Sequence, residues 1–260
     1  MVASAANSSV PVMIPSRSIR ELLAGRDGLR VIGDVHGAIE PFRAAVQGGR
    51  DKNLAILSLG DIIDRGPDAP ACMRLLLDLL EHGDGEIVPG NHDDKFRRFL
   101  AGAKVEIGTS GLGRTIAQLA ADAEGEALGR RFADAIAARP LWRAWGKMAF
   151  VHGAFDPVMP AVNPTPTPAD RGVATKLVSK ALYGETDGTK TKSGHPHRTY
   201  RWVDRVPAGM TVFVGHDVVS TTEIVRRQGA LGGIVVHLDT GVDRGGMLSF
   251  VDLSRDELGG

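Results

Sequence analysis

One cysteine, Cys72, stands in 260 residues, which excludes a disulfide within the chain and a thiolate cage for zinc. A chain so poor in thiols fits a reducing compartment, and the expected location is the cytoplasm. Charge of either sign is not in excess: 31 basic side chains balance 31 acidic ones. Partners gripped mainly through a phosphate backbone need many Lys and Arg contacts, so strong general nucleic-acid binding is not expected. No run approaches 18 apolar residues, which leaves no candidate membrane span. The start lacks both halves of a secretory signal, a basic cluster and an apolar stretch, and its first basic residue is Arg17. With 33 glycines and 14 prolines, the chain stays below the level that marks disorder. What is present, 43% apolar and 24% charged, is ordinary globular composition.

Residues 1–16 are Ala-, Ser- and Pro-rich without periodicity and read as a mobile arm; residues 17–260 read as one α/β domain. Ser18 to Glu21 forms a capping box that opens a short helix. Strand patterns at 29–33, 54–59 and 86–89 alternate with helical patterns at 38–48 and 71–81, a βαβαβ order that predicts parallel pairing. A helical insertion spans about 94–139. Later strand patterns lie at 148–151, 211–214, 222–226, 233–238 and 247–253, so the sheet ends mixed or antiparallel. The proline-rich stretch 157–168 and the polar stretch 184–199 read as surface loops, the second long enough for a lid.

Three strand patterns run straight into a glycine followed by a hard or borderline metal ligand: Gly33-Asp34-Val35-His36-Gly37, Gly60-Asp61-Ile62-Ile63-Asp64-Arg65-Gly66, and Gly90-Asn91-His92-Asp93. Asp34, Asp61 and Asn91 are separated by about the length of a βαβ crossover. Parallel neighbours would bring them to one sheet edge, where open α/β sheets bind ligands. Two later segments repeat the plan, Phe150-Val151-His152-Gly153 and Val214-Gly215-His216-Asp217. Any one Gly-Asp or Gly-His is most simply a turn; five in strand-end positions are not. Oxygen and imidazole donors without thiolate suit Mn, Fe, Zn or Ni. Six of them exceed one tetrahedral site and suit two metals sharing a carboxylate. Such a pair lowers the pKa of a water and offsets phosphate charge. His92 can protonate a leaving oxygen if Asp64 holds it, and Arg65 can grip two phosphate oxygens. The constellation predicts phosphoester hydrolysis.

These motifs, in this order, resemble those of the phosphoprotein phosphatase branch of the calcineurin-like metallophosphoesterases. The resemblance implies a four-layer fold, two mixed β-sheets packed as a sandwich and flanked by helices. It implies a dimetal site, with Asp34 and His36 on one ion, Asp61 bridging, and Asn91, His152 and His216 on the other; manganese is the first expectation. His92 and Asp64 match the proton-donating pair, and Arg65 the phosphate-binding arginine. Gly90 to Lys95, Gly111-Leu112, Ala181 to Thr186 and Leu238 to Gly241 are also similar to the phosphatase module of bacterial polynucleotide kinase-phosphatases, but no Walker-type phosphate loop is present. In that module an acidic residue matches Asp239; a plain turn residue before Gly241 is the equal alternative.

Two departures bear on substrate choice: Asp217 stands where a threonine is usual, and Ala154-Phe155 follows His152-Gly153, making the floor bulkier. His237 reads as a packed core histidine. Tyr183, Arg198, Tyr200, Arg201 and Trp202 border the polar loop and could cover a nucleotide base or a phosphopeptide. Expected substrate contacts are Arg65, Asn91, Asp239 and Tyr183. The expected activity is hydrolysis of phosphomonoesters, phosphoserine or phosphothreonine included. Nucleic-acid ends, nucleotides and dinucleoside polyphosphates are alternatives, and an inactive metal-binding protein is the non-enzymatic one.

Overall fold

Strands buried on both faces need cover on both sides, and that requirement organises this chain. The computed structural model describes residues 14–109, 111–170, 175–192, 194, 196 and 197–259. Its elements are α1 Ile19–Leu22, β1 Gly28–Ile32, α2 Ile39–Arg50, β2 Leu54–Ser58, α3 Ala69–His82, β3 Gly85–Ile87, α4 Asn91–Leu100, α5 Leu112–Ala120, α6 Gly125–Ala137, β4 Trp142–Trp145, β5 Met148–Val151, α7 Thr175–Tyr183, β6 Glu185–Lys190, β7 Pro196–Thr199, β8 Thr211–Val214, β9 Val225–Gln228, β10 Ile234–His237 and β11 Phe250–Ser254. The first sheet has the order β11-β1-β2-β3 and the second β4-β5-β8-β10-β9. β1, β2 and β3 run parallel, with β11 antiparallel at the edge. β5, β8 and β10 also run parallel, between antiparallel β4 and β9. Both sheets are mixed, as the family resemblance implies.

Alternation along the strands assigns each face. Leu29 and Val31 of β1 and Ala55 and Leu57 of β2 meet Phe150, Phe213 and Val236 of the second sheet. The Phe150 and Phe213 rings stack there with centroids 5.3 Å apart. The opposite face of the first sheet, through Ile32, Ile56 and Ile87, packs on α2, α3, α4 and α6. The outer face of the second sheet, through Val151, Val212, Val214 and Val235, packs on Ala181 and Leu182 of α7 and on Trp142 and Trp202. Helices, two sheets and a second outer layer therefore stack as four layers. Ala154 and Phe155 lie in that outer core, so their bulk fills the interior and does not build up the floor of the cleft.

Several expectations change. The Ser18–Glu21 capping box is formed, but the residues just before it are tied down where the arm was expected to continue. Ile14 offers its carbonyl to Arg139 Nη1 at 2.9 Å, and Ser16 Oγ receives Arg143 Nη2 at 3.0 Å; residues 1–13 of the arm lie outside the described residues. The expected loop 184–199 holds an antiparallel hairpin, β6 with β7. Its strands are almost wholly exposed, so no alternation of apolar residues announces them. β4 and α7 also go unpredicted by the patterning. The helical segment starts at Asn91, not Asp94, because Gly90 serves as the N-cap of α4.

Glu86 sits on β3, fully buried, between Arg143 Nη2 at 2.8 Å and Arg139 Nε at 3.5 Å. It also accepts the Arg17 backbone N–H at 2.5 Å. Removing one partner of a buried ion pair strands the others in low dielectric. Glu86→Ala is expected to destabilise the fold by about 3–5 kcal/mol, read from the denaturant midpoint; unchanged stability would contradict this role for the carboxylate.

Candidate active site

Six loops converge where parallel strands end. Asp34 follows β1, Asp61 follows β2, Asn91 follows β3, His152 follows β5, His216 follows β8 and Asp239 follows β10. All are C-terminal strand ends, so the βαβ order read from the sequence delivers the donors to one edge. Two glycines are required by how closely these loops approach. A Cβ on Gly90 would lie 2.1 Å from Asp61 Oδ1, and one on Gly215 would lie 2.1 Å from Asp34 Oδ1. Any side chain at either position would push a carboxylate out of the cleft.

Backbone strain concentrates on the same loops. Six described non-glycine residues have φ in the left-handed region, and five of them are His36, Asp61, Asp64, Arg65 and His216. Each such residue costs about 1–3 kcal/mol and persists only where surrounding contacts impose it. Asp93 supplies one such constraint: its fully buried carboxylate accepts the backbone N–H groups of Gly90, Asp61 and Ile62 at 2.8–3.0 Å. It thereby locks the second motif to the third.

The donors form two groups that meet at Asp61. Asp61 Oδ2 lies 3.7 Å from His36 Nε2 and 4.0 Å from His92 Nε2, whereas Oδ1 lies 3.5 Å from His152 Nε2. His152 Nε2 is also 3.1 Å from Asn91 Oδ1 and 3.2 Å from His216 Nδ1. Asp34 Oδ2 stands 3.9 Å from His36 Nε2, and both Asp34 oxygens accept the His216 N–H at 3.0 and 3.1 Å. The structure thus brings all six expected ligands together.

The chemistry of this donor set fits a cation pair. His36 Nδ1 donates to the Ile63 carbonyl at 3.0 Å and His152 Nδ1 to the Leu59 carbonyl at 2.7 Å, which turns both Nε2 lone pairs toward the acids. Burial holds His36 neutral, its pKa pushed down to about 4, and it also lowers His152 and His216. A neutral lone pair facing oxygens repels them unless positive charge lies between; Arg65 supplies it at His36, whereas His152 Nε2 faces Asp61 Oδ1 and Asn91 Oδ1, where a bound ion would supply it. Around an ion bound at about 2.1 Å, neighbouring ligand atoms stand about 3.0–3.4 Å apart, and the His152 group matches that spacing. Burial, and then the charges of Asp239 and Asp61, push Asp34 well above the usual carboxylate range, a repulsion that divalent ions would relieve. Two donor groups close enough to hold an ion share Asp61, one around His36 with His92 at its edge and one with His152 and His216.

Beside these groups runs a hydrogen-bonded chain. Thr115 Oγ1 donates to Asp64 Oδ1 at 2.7 Å, and His92 Nδ1 donates to Asp64 Oδ2 at 2.6 Å. His92 Nε2 therefore faces the cleft. Burial works to lower the His92 pKa, but the Asp61 and Asp64 carboxylates outweigh it and raise the net value. Arg65 lies between the imidazoles, 2.9 Å from His36 Nε2 and 3.0 Å from His92 Nε2, with Asp243 Oδ2 at 3.3 Å.

Asp239 lies at the same sheet edge, near Asp34 and Asp61, and also makes its turn. It accepts the Gly241 N–H at 2.9 Å, while burial and the nearby Asp61 and Asp243 charges push it up to about 6. Asp217 does not stand free beside the cleft; it pairs with Arg198 at 2.9 Å. His237 is a core residue, buried against the Tyr200 ring at 5.9 Å. Tyr183 stands at the rim, with Gly184 beside His216. Sequence reasoning misses Asp93 as a brace, and Thr115 and Asp243 as partners. An Asp three residues into a helix is a readable signal for the first; Thr115 and Asp243 lie far from their partners in sequence and carry none.

A family model described as calcineurin-like phosphoesterase matches residues 29–220. The bis(5′-nucleosyl)-tetraphosphatase PrpE of Geobacillus thermodenitrificans is 28% identical over 233 residues, covering 84% of this chain and 87% of its own. The protein of that name from Halalkalibacterium halodurans is 27% identical over 234 residues, covering 84% and 87%. Among solved structures, a metallophosphoesterase from Sphaerobacter thermophilus shares the fold with a TM-score of 0.51 at 17% identity, covering 88% of this chain and 84% of that one. Matched across most of its length and carrying the donor cluster just described, the chain belongs to the calcineurin-like phosphoesterase family and is a phosphoric ester hydrolase.

Proposed function

We propose that the chain is a dimetal hydrolase of dinucleoside polyphosphates, with the phosphomonoesterase activity expected from its motifs as a lesser capacity of the same centre. One observation carries the hydrolytic part: the two oxygens of Asp61 face two different donor groups, as a carboxylate shared by two ions must. Asp34 and His36 would complete one ion's ligands, and Asn91, His152 and His216 the other's. Two divalent ions held there would supply a water activated for attack and positive charge to offset that of the phosphate. The likeness to tetraphosphatases along 84% of the chain supports the substrate class.

The protein's own residues do the rest. Arg65 offers a planar fork to two oxygens of the phosphate, a geometry lysine could not supply. His92, oriented by Asp64 and Thr115, presents Nε2 toward the cleft and passes a proton to the departing oxygen. Asp64 holds the ring in place and favours its charged form.

A substrate panel with manganese present tests the reading: diadenosine tetraphosphate, a phosphoserine peptide, a 3′-phosphate oligonucleotide and an aryl phosphate, with products separated by chromatography. The tetraphosphate is expected to give adenosine mono- and triphosphate, with kcat/KM at least about tenfold above the peptide, equivalent to about 1.4 kcal/mol of transition-state discrimination. A preference for the peptide would overturn the substrate class. A steep loss of efficiency with salt on the oligonucleotide would point to nucleic-acid ends instead.

A further inference from the structure

The helix that supplies Asn91 also carries positive charge that the hydrolytic step does not use. On an α-helix, residues four and seven apart return close to the same bearing, so Asn91, Lys95 and Arg98 share one face of α4. Arg98 lies about 10 Å along the axis from Asn91 at 1.5 Å per residue. Lys95 and Arg98 are both partly exposed. Among the described residues neither pairs with a carboxylate, because Asp94, the acid nearest on the helix, is taken by Arg97 at 2.7 Å. Of the other arginines at the cleft, Arg65 is assigned to the phosphate under attack, and Arg198 pairs with Asp217.

The helix α7 ends at Tyr183. Its carbonyl accepts Arg198 Nη1 at 3.4 Å, and a Cβ on the next residue, Gly184, would lie 3.7 Å from His216 Cδ2. Tyr183 is 38% exposed; burial of its phenol and the nearby Asp94 carboxylate raise its pKa, and Arg98 beside it works the other way. An aromatic ring and an unmatched guanidinium therefore stand together at the rim, two helical turns from the donor cluster.

We propose that Arg98, with Lys95 on the same helix face and Tyr183 beside it, binds the distal phosphates of a nucleoside polyphosphate while the phosphorus under attack lies at Asp61. This rests on the dinucleoside polyphosphate reading above and names the subsite that selects for it. A guanidinium grips two phosphate oxygens through parallel N–H donors, and two helical turns between Asn91 and Arg98 leave room for a polyphosphate chain to run along this face. A phosphoserine peptide or an aryl monoester has no second phosphate to place there.

The test compares Arg98→Ala and Arg98→Lys with the unchanged protein, each loaded with manganese and held at fixed free metal. Diadenosine tetraphosphate and p-nitrophenyl phosphate are the substrates, and inorganic tripolyphosphate is a competitive inhibitor of the second. For Arg98→Ala, kcat/KM on the tetraphosphate is expected to fall about tenfold further than on the aryl phosphate, with most of the difference in KM, as for one lost charge-assisted contact. The tripolyphosphate inhibition constant should rise about tenfold, and Arg98→Lys should recover part of both. Equal losses on the two substrates, or an unchanged inhibition constant, would overturn the subsite. If the unchanged protein does not cleave the tetraphosphate, the functional reading fails. Tripolyphosphate inhibition still decides then whether Arg98 binds a phosphate chain.

Discussion

Asp61→Asn is expected to lower kcat/KM about 1,000-fold on every phosphate substrate and to reduce bound divalent metal from two ions per chain to one or fewer. The side chain keeps its size, so the loss reports charge and donor chemistry rather than packing. An amide offers one oxygen where the carboxylate offers two, and here both oxygens are committed: Oδ2 toward His36 at 3.7 Å and Oδ1 toward His152 at 3.5 Å. Oδ1 also accepts the His92 backbone N–H at 2.9 Å, a bond the asparagine oxygen can keep. The fold should therefore survive, which thermal denaturation checks. Full activity with a full metal complement would remove Asp61 from the shared position.

His92→Ala is expected to show its loss in the leaving group. On an alkyl or phenyl phosphate, whose departing oxygen is strongly basic, kcat should fall by about 100- to 1,000-fold, the range for a lost general acid. On p-nitrophenyl phosphate, whose phenolate departs without help, the loss should stay near tenfold. The cleavage of a tetraphosphate releases a weakly basic phosphate oxygen and should follow the second pattern. Asp64→Asn should reproduce the trend more weakly, because Thr115 still fixes that side chain at 2.7 Å. Equal losses across all leaving groups would mean that His92 acts in binding or positioning rather than in proton transfer.

The site was legible in the sequence because its donors sit on local motifs. A strand that ends in glycine and then a ligand is a pattern visible within seven residues, and the βαβ order between successive motifs delivers those ends to one edge. Asp34, His36, Asp61, Asn91, His152 and His216 could all be named on that ground. The braces were less legible. Thr115 and Asp243 meet Asp64 and Arg65 only through tertiary folding, across separations for which a single chain offers no periodicity. The hairpin β6–β7 carries no strand signal in the sequence because neither strand buries a face, and hydrophobic alternation is the signal by which strands are recognised. The sequence shows Asp217 in place of the usual threonine, and only the fold reveals Arg198 as its partner. Phe155 looked like a substituent of the cleft, although it completes the outer core.

The most direct test is an anomalous-scattering map from crystals of the manganese-loaded protein. Two peaks about 3.5–4 Å apart, one on each side of the Asp61 carboxylate and flanked by His36 and by His152 with His216, are the expected result. A single peak, or ions bound away from Asp61, would contradict the shared-carboxylate centre and the hydrolytic chemistry built on it.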